Sequence, residues 1–277
     1  MTPTNTVHLA VGGAIAYRQV TLRSPPFVAG PPRCMLLSPS DRRLLARIAM
    51  GLGATIIACK TIAIVAVYGL YLPPGFSRGF LAGRERAFFD WYAWAFYPHI
   101  VAGPPVLGLG LFLLMPPPRK CWAATWFRWH RRLGRVQALL MLLVLLPSGA
   151  LMSLRATGGP GATAGFLALS VAIATFTLLG VRAVWQRRLP AHRRHMQRVF
   201  VLLCSTLVLR WLGGGLDAWA ASRAVEPATL DRAAIAIAWL SWLAPLAALE
   251  GGRLVRSAFA ERRRASLARS RLVAARA

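Results

Sequence analysis

Acidic residues are scarce in this chain. Its 277 residues include 8 Asp and Glu against 34 Lys and Arg, a formal net charge of +26, yet only 15% of the sequence is charged. A water-soluble domain usually carries about a quarter charged residues, so there is too little polar surface here to cover a dissolved particle. Cysteine is nearly absent as well. Cys34, Cys59, Cys121 and Cys204 are scattered, with no CxxC and no Cys/His spacing of a zinc site. Cys59 and Cys204 lie inside apolar runs, where cysteine acts as a small hydrophobe. GxSxG, HExxH and phosphate-loop motifs are all missing, and no nucleophile–base constellation stands out. Residues 1–17 lack the basic start of a secretory signal. Residues 1–40 are rich in Pro, Gly and Arg without helical periodicity and read as a flexible cytoplasmic leader, with Met35 as an alternative first residue.

What the chain has in excess is hydrocarbon. It is 56% hydrophobic, with a mean hydropathy of +0.50. A membrane-crossing helix needs about 20 apolar residues, and six runs come close: 44–72, within 88–115, 133–154, 162–185, 196–220 and 233–249. Pro and Gly punctuate the breaks, as at Pro73-Pro74-Gly75, Pro116-Pro117-Pro118 and Gly158 to Gly161. The expected fold is an all-α integral membrane protein, a bundle of about six transmembrane helices. A basic leader (1–43) precedes the bundle (44–250), and a basic tail (251–277) follows it.

Charge orients the bundle. Arg42, Arg43 and Arg47, the run from Arg119 to Arg135, the run from Arg187 to Arg198, and Arg253 to Arg264 fall on one side of a six-span arrangement. The alternate loops carry mixed charge, as at Arg84, Glu85 and Asp90 or Arg223, Glu226 and Asp231. By the positive-inside rule the arginine-rich side and both termini are cytoplasmic, against anionic phospholipids. A nucleic-acid partner is not expected, because the basic residues sit between apolar runs and form no separate domain. Trp122, Trp126 and Trp129 recur at helical spacing and suggest either ordinary interfacial anchoring or a short amphipathic helix lying in the interface before the third run.

Ionisable residues inside a membrane are functional by default hypothesis. His130 opens the third run and His192 the fifth, on the same side. Pro190 suits a first helical position, which puts His192 in the first turn, where neutral imidazole is favoured. Neutral imidazole is the ligand form, and two such rings on neighbouring helices can hold a haem iron from opposite faces. In that reading His130 and His192 are the metal ligands of a haem b, with Arg135 and Arg198 near enough in sequence to pair with its propionates. His-Arg pairs at a helix start also suit lipid phosphate and loop packing.

His99 lies in the second run, followed by Gly103 and then Pro104-Pro105, which should kink or unwind the helix. Unwound backbone at depth must line a cavity or be packed in protein, so a small polar pocket near His99 and Gly103 is expected. Lys60 sits in the first run, with Asp217 as its best ion-pair partner. Arg210 lies deeper in the fifth run. Gly213-Gly214-Gly215 reads as close helix packing or a helix break.

Four segments resemble, in order and spacing, the bacterial membrane family catalogued as domain of unknown function 2306. They are HIVAG from His99 to Gly103, HRRLGR from His130 to Arg135 (the family's HRxxGR), HRRHMQR from His192 to Arg198 (its HRxWMxR), and TLVLR from Thr206 to Arg210 (its TLR signature). The core of the resemblance covers about 99–210. His195 stands where the family usually has Trp, Gln137 where it commonly has Tyr, and the Pro104-Pro105 pair is unusual for it. The resemblance implies a multi-span protein of the bacterial inner membrane and no established activity. The leading expectation is a b-type haem electron-transfer subunit working with a quinone or another redox partner. The alternatives are a small-molecule or ion carrier using His99, Gly103, Lys60, Asp217 and Arg210, and a structural or lipid-binding partner without chemistry.

Overall fold

The computed structural model describes residues 39–77, 79–81, 84–116, 123–223 and 225–275. The expected leader up to residue 38, together with Cys34, Cys121 and Trp122, lies outside the described residues. Six helical stretches are long and apolar enough to cross a membrane: Ile48–Leu70, Glu85–Leu114, Ala123–Ser153, Gly159–Trp185, Leu189–Ala221 and Pro227–Ser270, here the first to sixth spans. No strand occurs among the described residues beyond a single bridge between Tyr71 and Pro74. The protein is an all-helical, multi-pass membrane protein, as its composition requires.

Spans two to six share one core, to which they contribute Val106, Met141, Ile173, Leu203 and Trp242 respectively. The first span stands apart from it. None of its apolar stretch is buried, although Ile57 and Ile64 touch the core. Outward-facing Ile62, Leu143 and Val171 are each about two-thirds exposed (68%, 69% and 65%). Apolar surface on that scale is stable only against hydrocarbon. At the end away from the arginine-rich loops, a second cluster of Tyr71, Leu81, Phe88, Tyr92, Phe96 and Ile100 closes the bundle. Its rings meet edge-on, as Tyr71 and Phe96 do at 5.3 Å and 86°, a favoured aromatic geometry.

The second span departs from expectation. Its helix runs unbroken from Ala93 to Leu114 through Pro98, Pro104 and Pro105. A proline at position 104 cannot donate to the carbonyl of residue 100. The Tyr68 hydroxyl of the first span does so instead, at 2.7 Å. With that acceptor satisfied from outside, the helix continues instead of unwinding. Upstream, Glu85–Ala87 and a π-helical turn at Phe88–Tyr92 join the same rod.

Other boundaries also move. The first helix begins at Pro39, inside the expected leader. Residues 123–140 form one helix running straight into the third span, so the Trp126 and Trp129 segment is no separate interfacial helix. Nothing between Ala123 and Leu140 breaks it, and Trp126 packs on Phe112 at 4.6 Å. A π-turn at Met141–Leu145 follows, just before Pro147. The sixth helix spans Pro227–Ala274, 48 residues. At 1.5 Å per residue it is about 70 Å long, against a hydrocarbon core of about 30 Å. The basic tail is therefore a helical continuation of the last span. Gly213 to Gly215 neither break the fifth span nor pack closely, for a Cβ at any of them would meet nothing within 4 Å.

Candidate functional site

Polar side chains gather at two levels of the bundle. The first lies near the arginine-rich face, between the third, fourth, fifth and sixth spans. The fourth and fifth spans approach closely at Gly180, where an added Cβ would collide with the Met196 methyl. That approach carries the His192 ring onto the fourth span, with Nδ1 3.0 Å from the Gly180 carbonyl oxygen. A carbonyl only accepts, so Nδ1 carries the proton and Nε2 is left with its lone pair. His130, on the third span, lies within electrostatic reach of His192. One turn beyond His130, a Cβ at Gly134 would meet nothing within 4 Å, so space is open there. About two turns further in, the helices close. Gln137 Nε2 donates to the Val106 carbonyl at 3.2 Å, and a Cβ at Gly110 would lie 2.9 Å from Gln137 and 3.0 Å from Phe200.

Beside this histidine pair runs an ion-pair chain. Arg198 donates through Nε and an η-nitrogen to the two oxygens of Glu250, both at 2.9 Å. The same guanidinium stacks over Phe176 at 5.2 Å. Arg253 joins Glu250 at 2.5 Å and donates to Gln197 Oε1 at 2.7 Å. His195 lies against the Phe176 ring at 6.1 Å, and its Nδ1 is buried without a partner. Arg198, expected as a propionate anchor, is thus committed to the sixth span, whereas Arg135 stays exposed.

The second level is near mid-depth. His99 Nδ1 sits 3.2 Å from the Leu145 carbonyl and 3.3 Å from Ser148 Oγ. The Ser148 proton goes to the Val144 carbonyl at 2.6 Å, so His99 Nδ1–H is the donor to both acceptors and Nε2 is free. The ring packs on Gly149, where a Cβ would lie 2.9 Å from its Cε1. Gly103, one turn on, has open space in front of it. Arg210 is within electrostatic reach of both His99 and Tyr68. Lys60 Nζ lies 5.5 Å from the ring centroid of Trp211, the neighbour of Arg210. Among the described residues no ion pair joins Lys60 to Asp217. Asp217 is exposed, two turns or about 10 Å along the helix from Arg210.

His99 lies within electrostatic reach of Arg210, expected in the same candidate pocket, and His130 within reach of His192, the pair expected as haem ligands. The packing roles of Tyr68, Ser148, Gln137 and Trp211 were missed. Tyr68 had a legible signal, since a proline at 104 demands an outside donor for the carbonyl of residue 100. The other three are ordinary in sequence and acquire their roles only from packing.

A family model described as "Predicted membrane protein (DUF2306)" matches residues 96–250, more than half of the chain and including both histidine levels. No curated protein and no solved structure matches it.

Proposed function

The chain belongs to that family, DUF2306, and on this premise we propose that it is a b-type haem electron-transfer subunit of the bacterial inner membrane, in which His130 and His192 would hold the haem iron. The observation that carries this reading is the anchored imidazole of His192, whose Nδ1–H is held by the Gly180 carbonyl while Nε2 stays free. Histidines that ligate metals characteristically donate their other ring N–H to such an acceptor, which fixes tautomer and orientation.

The residues present fit the group in three respects. The second imidazole comes from a different span, at the same level and within electrostatic reach. Gly134 leaves room beside it. The Gln137, Gly110 and Phe200 contact makes a floor that separates this level from the hydrocarbon core. Arg135 remains available for a propionate, and Arg198, bound to Glu250, braces the fifth span on the sixth. Haem, when bound, supplies a one-electron redox centre; the protein's part is to hold two neutral imidazoles, neutralise the propionates and limit water. A quinone or another redox partner in the same membrane completes the transfer.

The test is an absorption spectrum of protein purified after expression with a haem precursor. A Soret band is expected, with a sharp reduced-minus-oxidised difference. It should be lost in His130→Ala and His192→Ala and retained in His99→Ala. A colourless wild type under these conditions removes the proposal.

A further inference from the structure

A separate site, independent of the haem reading, is carried by the mid-depth level. Lys60 lies 10 residues before the end of the first span, Arg210 lies 11 before the end of the fifth, and His99 lies 14 after the start of the second. At 1.5 Å per residue these place all three about 15–21 Å from the same end of the bundle, well inside hydrocarbon of about 30 Å. Charges at such depth are costly and are normally paired. Here Arg210 makes no hydrogen bond or ion pair among the described residues, and Lys60 has only the Trp211 ring. The two local contacts, Lys60 to Trp211 and Tyr68 to the Ile100 carbonyl beside His99, bring the first, second and fifth spans together around these groups. The face is open to the bilayer, since the first span is not buried and Gly214, one turn after Arg210 on the same side of its helix, has nothing within 4 Å of an added Cβ.

We propose that this open face between the first, second and fifth spans binds a lipid-like molecule bearing a phosphate monoester. The chemistry follows from the groups left unsatisfied. Two cations at mid-depth call for an anion, and a guanidinium prefers a planar or tetrahedral oxyanion that accepts two of its N–H groups. His99 Nε2 carries a lone pair and accepts a proton-bearing oxygen. A phosphate monoester in its singly ionised form offers both, P–O⁻ for Arg210 and Lys60 and P–OH for His99. A carboxylate lacks the second group and a phosphodiester lacks the hydroxyl. The hydrocarbon chain leaves through the unburied side of the first span, so no aqueous entry is needed.

The full-length protein in detergent is titrated with dioleoyl phosphatidic acid, dioleoyl phosphatidylcholine and inorganic phosphate, with binding read by native mass spectrometry and by the shift in thermal midpoint. Phosphatidic acid should bind and raise the midpoint, and phosphatidylcholine should not. Arg210→Gln and Lys60→Met should each weaken binding about tenfold or more. Gly214→Leu, whose Cβ meets nothing within 4 Å in the folded chain, should fill the face and block binding without loss of fold. Inorganic phosphate should fail to compete at millimolar levels. Equal binding of the two lipids, or binding unchanged in all three variants, overturns the proposal. Inorganic phosphate that displaces the lipid overturns its lipid source.

Discussion

The Tyr68 hydroxyl donates to the carbonyl that Pro104 leaves without a helical partner. The acceptor is Ile100, four residues before the proline, at 2.7 Å. One bond thereby does two things. It lets a helix carry a Pro-Pro pair at depth, where an unsatisfied carbonyl costs several kcal/mol in lipid-like surroundings, and it ties the otherwise unburied first span to the bundle.

Tyr68→Phe removes the donor and nothing else of size. The expected loss is about 1–3 kcal/mol, the cost of leaving a buried acceptor unpaired. Pro104→Ala restores the N–H that helix geometry directs at Ile100. In that background Tyr68→Phe should cost far less, so the double-mutant cycle should show a coupling of about 0.5–3 kcal/mol. Thermal unfolding of the four purified variants measures it, and additive effects would show that the hydroxyl does not serve the proline.

At Gly180 the expectation is steric. An added Cβ meets the Met196 methyl, the far end of a flexible side chain that can swing partly aside, so Gly180→Ala should destabilise by about 1 kcal/mol, the low end of the cost of overpacking. In a Met196→Ala background the obstacle is gone, and Gly180→Ala should cost nothing further. Because the Gly180 carbonyl also holds His192, the proposed haem reading further predicts that Gly180→Ala broadens or diminishes the Soret band and that the double variant restores it. A Gly180→Ala protein as stable as wild type would mean that the Met196 side chain yields at no cost.

Glu250 serves two arginines of different spans. Glu250→Gln keeps the shape and removes the charge that Arg198 and Arg253 share. All three side chains are partly solvent-accessible, at 18–34%, so screening lowers the cost to about 1 kcal/mol, near the upper end for exposed pairs. The loss should shrink in high salt. Stability measured at low and high ionic strength separates this from a packing defect, which salt would leave unchanged.

The architecture was readable because its signal is gross. Six apolar runs separated by Pro, Gly and Arg leave few other folds for a chain with so little charge. Helix ends were less legible, since Pro39 to Arg43 and the tail after Glu250 are polar yet helical, and apolarity marks the membrane but not the end of a helix. The Trp126 segment was misjudged because an amphipathic stripe looks alike whether it lies in the interface or stands on a span. For the sites, residue types were visible one at a time. His192 and Pro190 were read correctly as the start of a helix. That Glu250 claims Arg198, or that Trp211 rather than Asp217 meets Lys60, depends on rotation and distance between spans, which local sequence does not encode.

The orientation of the bundle yields the last prediction. The loop residues from Arg187 to Arg194 and the helical continuation after Glu250 share one face, and the tail carries Arg253, Arg256, Arg262, Arg263, Arg264 and Arg269 against a single Glu261. Each arginine near an anionic leaflet contributes about 1 kcal/mol of attraction, so this face should lie in the cytoplasm. In a cysteine-free background, Ser257→Cys on the exposed tail should react with a membrane-impermeant maleimide only in inside-out vesicles. Arg155→Cys, in the exposed turn after the third span, should react in intact spheroplasts. The reverse pattern would place the arginines outside, and labelling of both sites from one side would contradict the three spans between them.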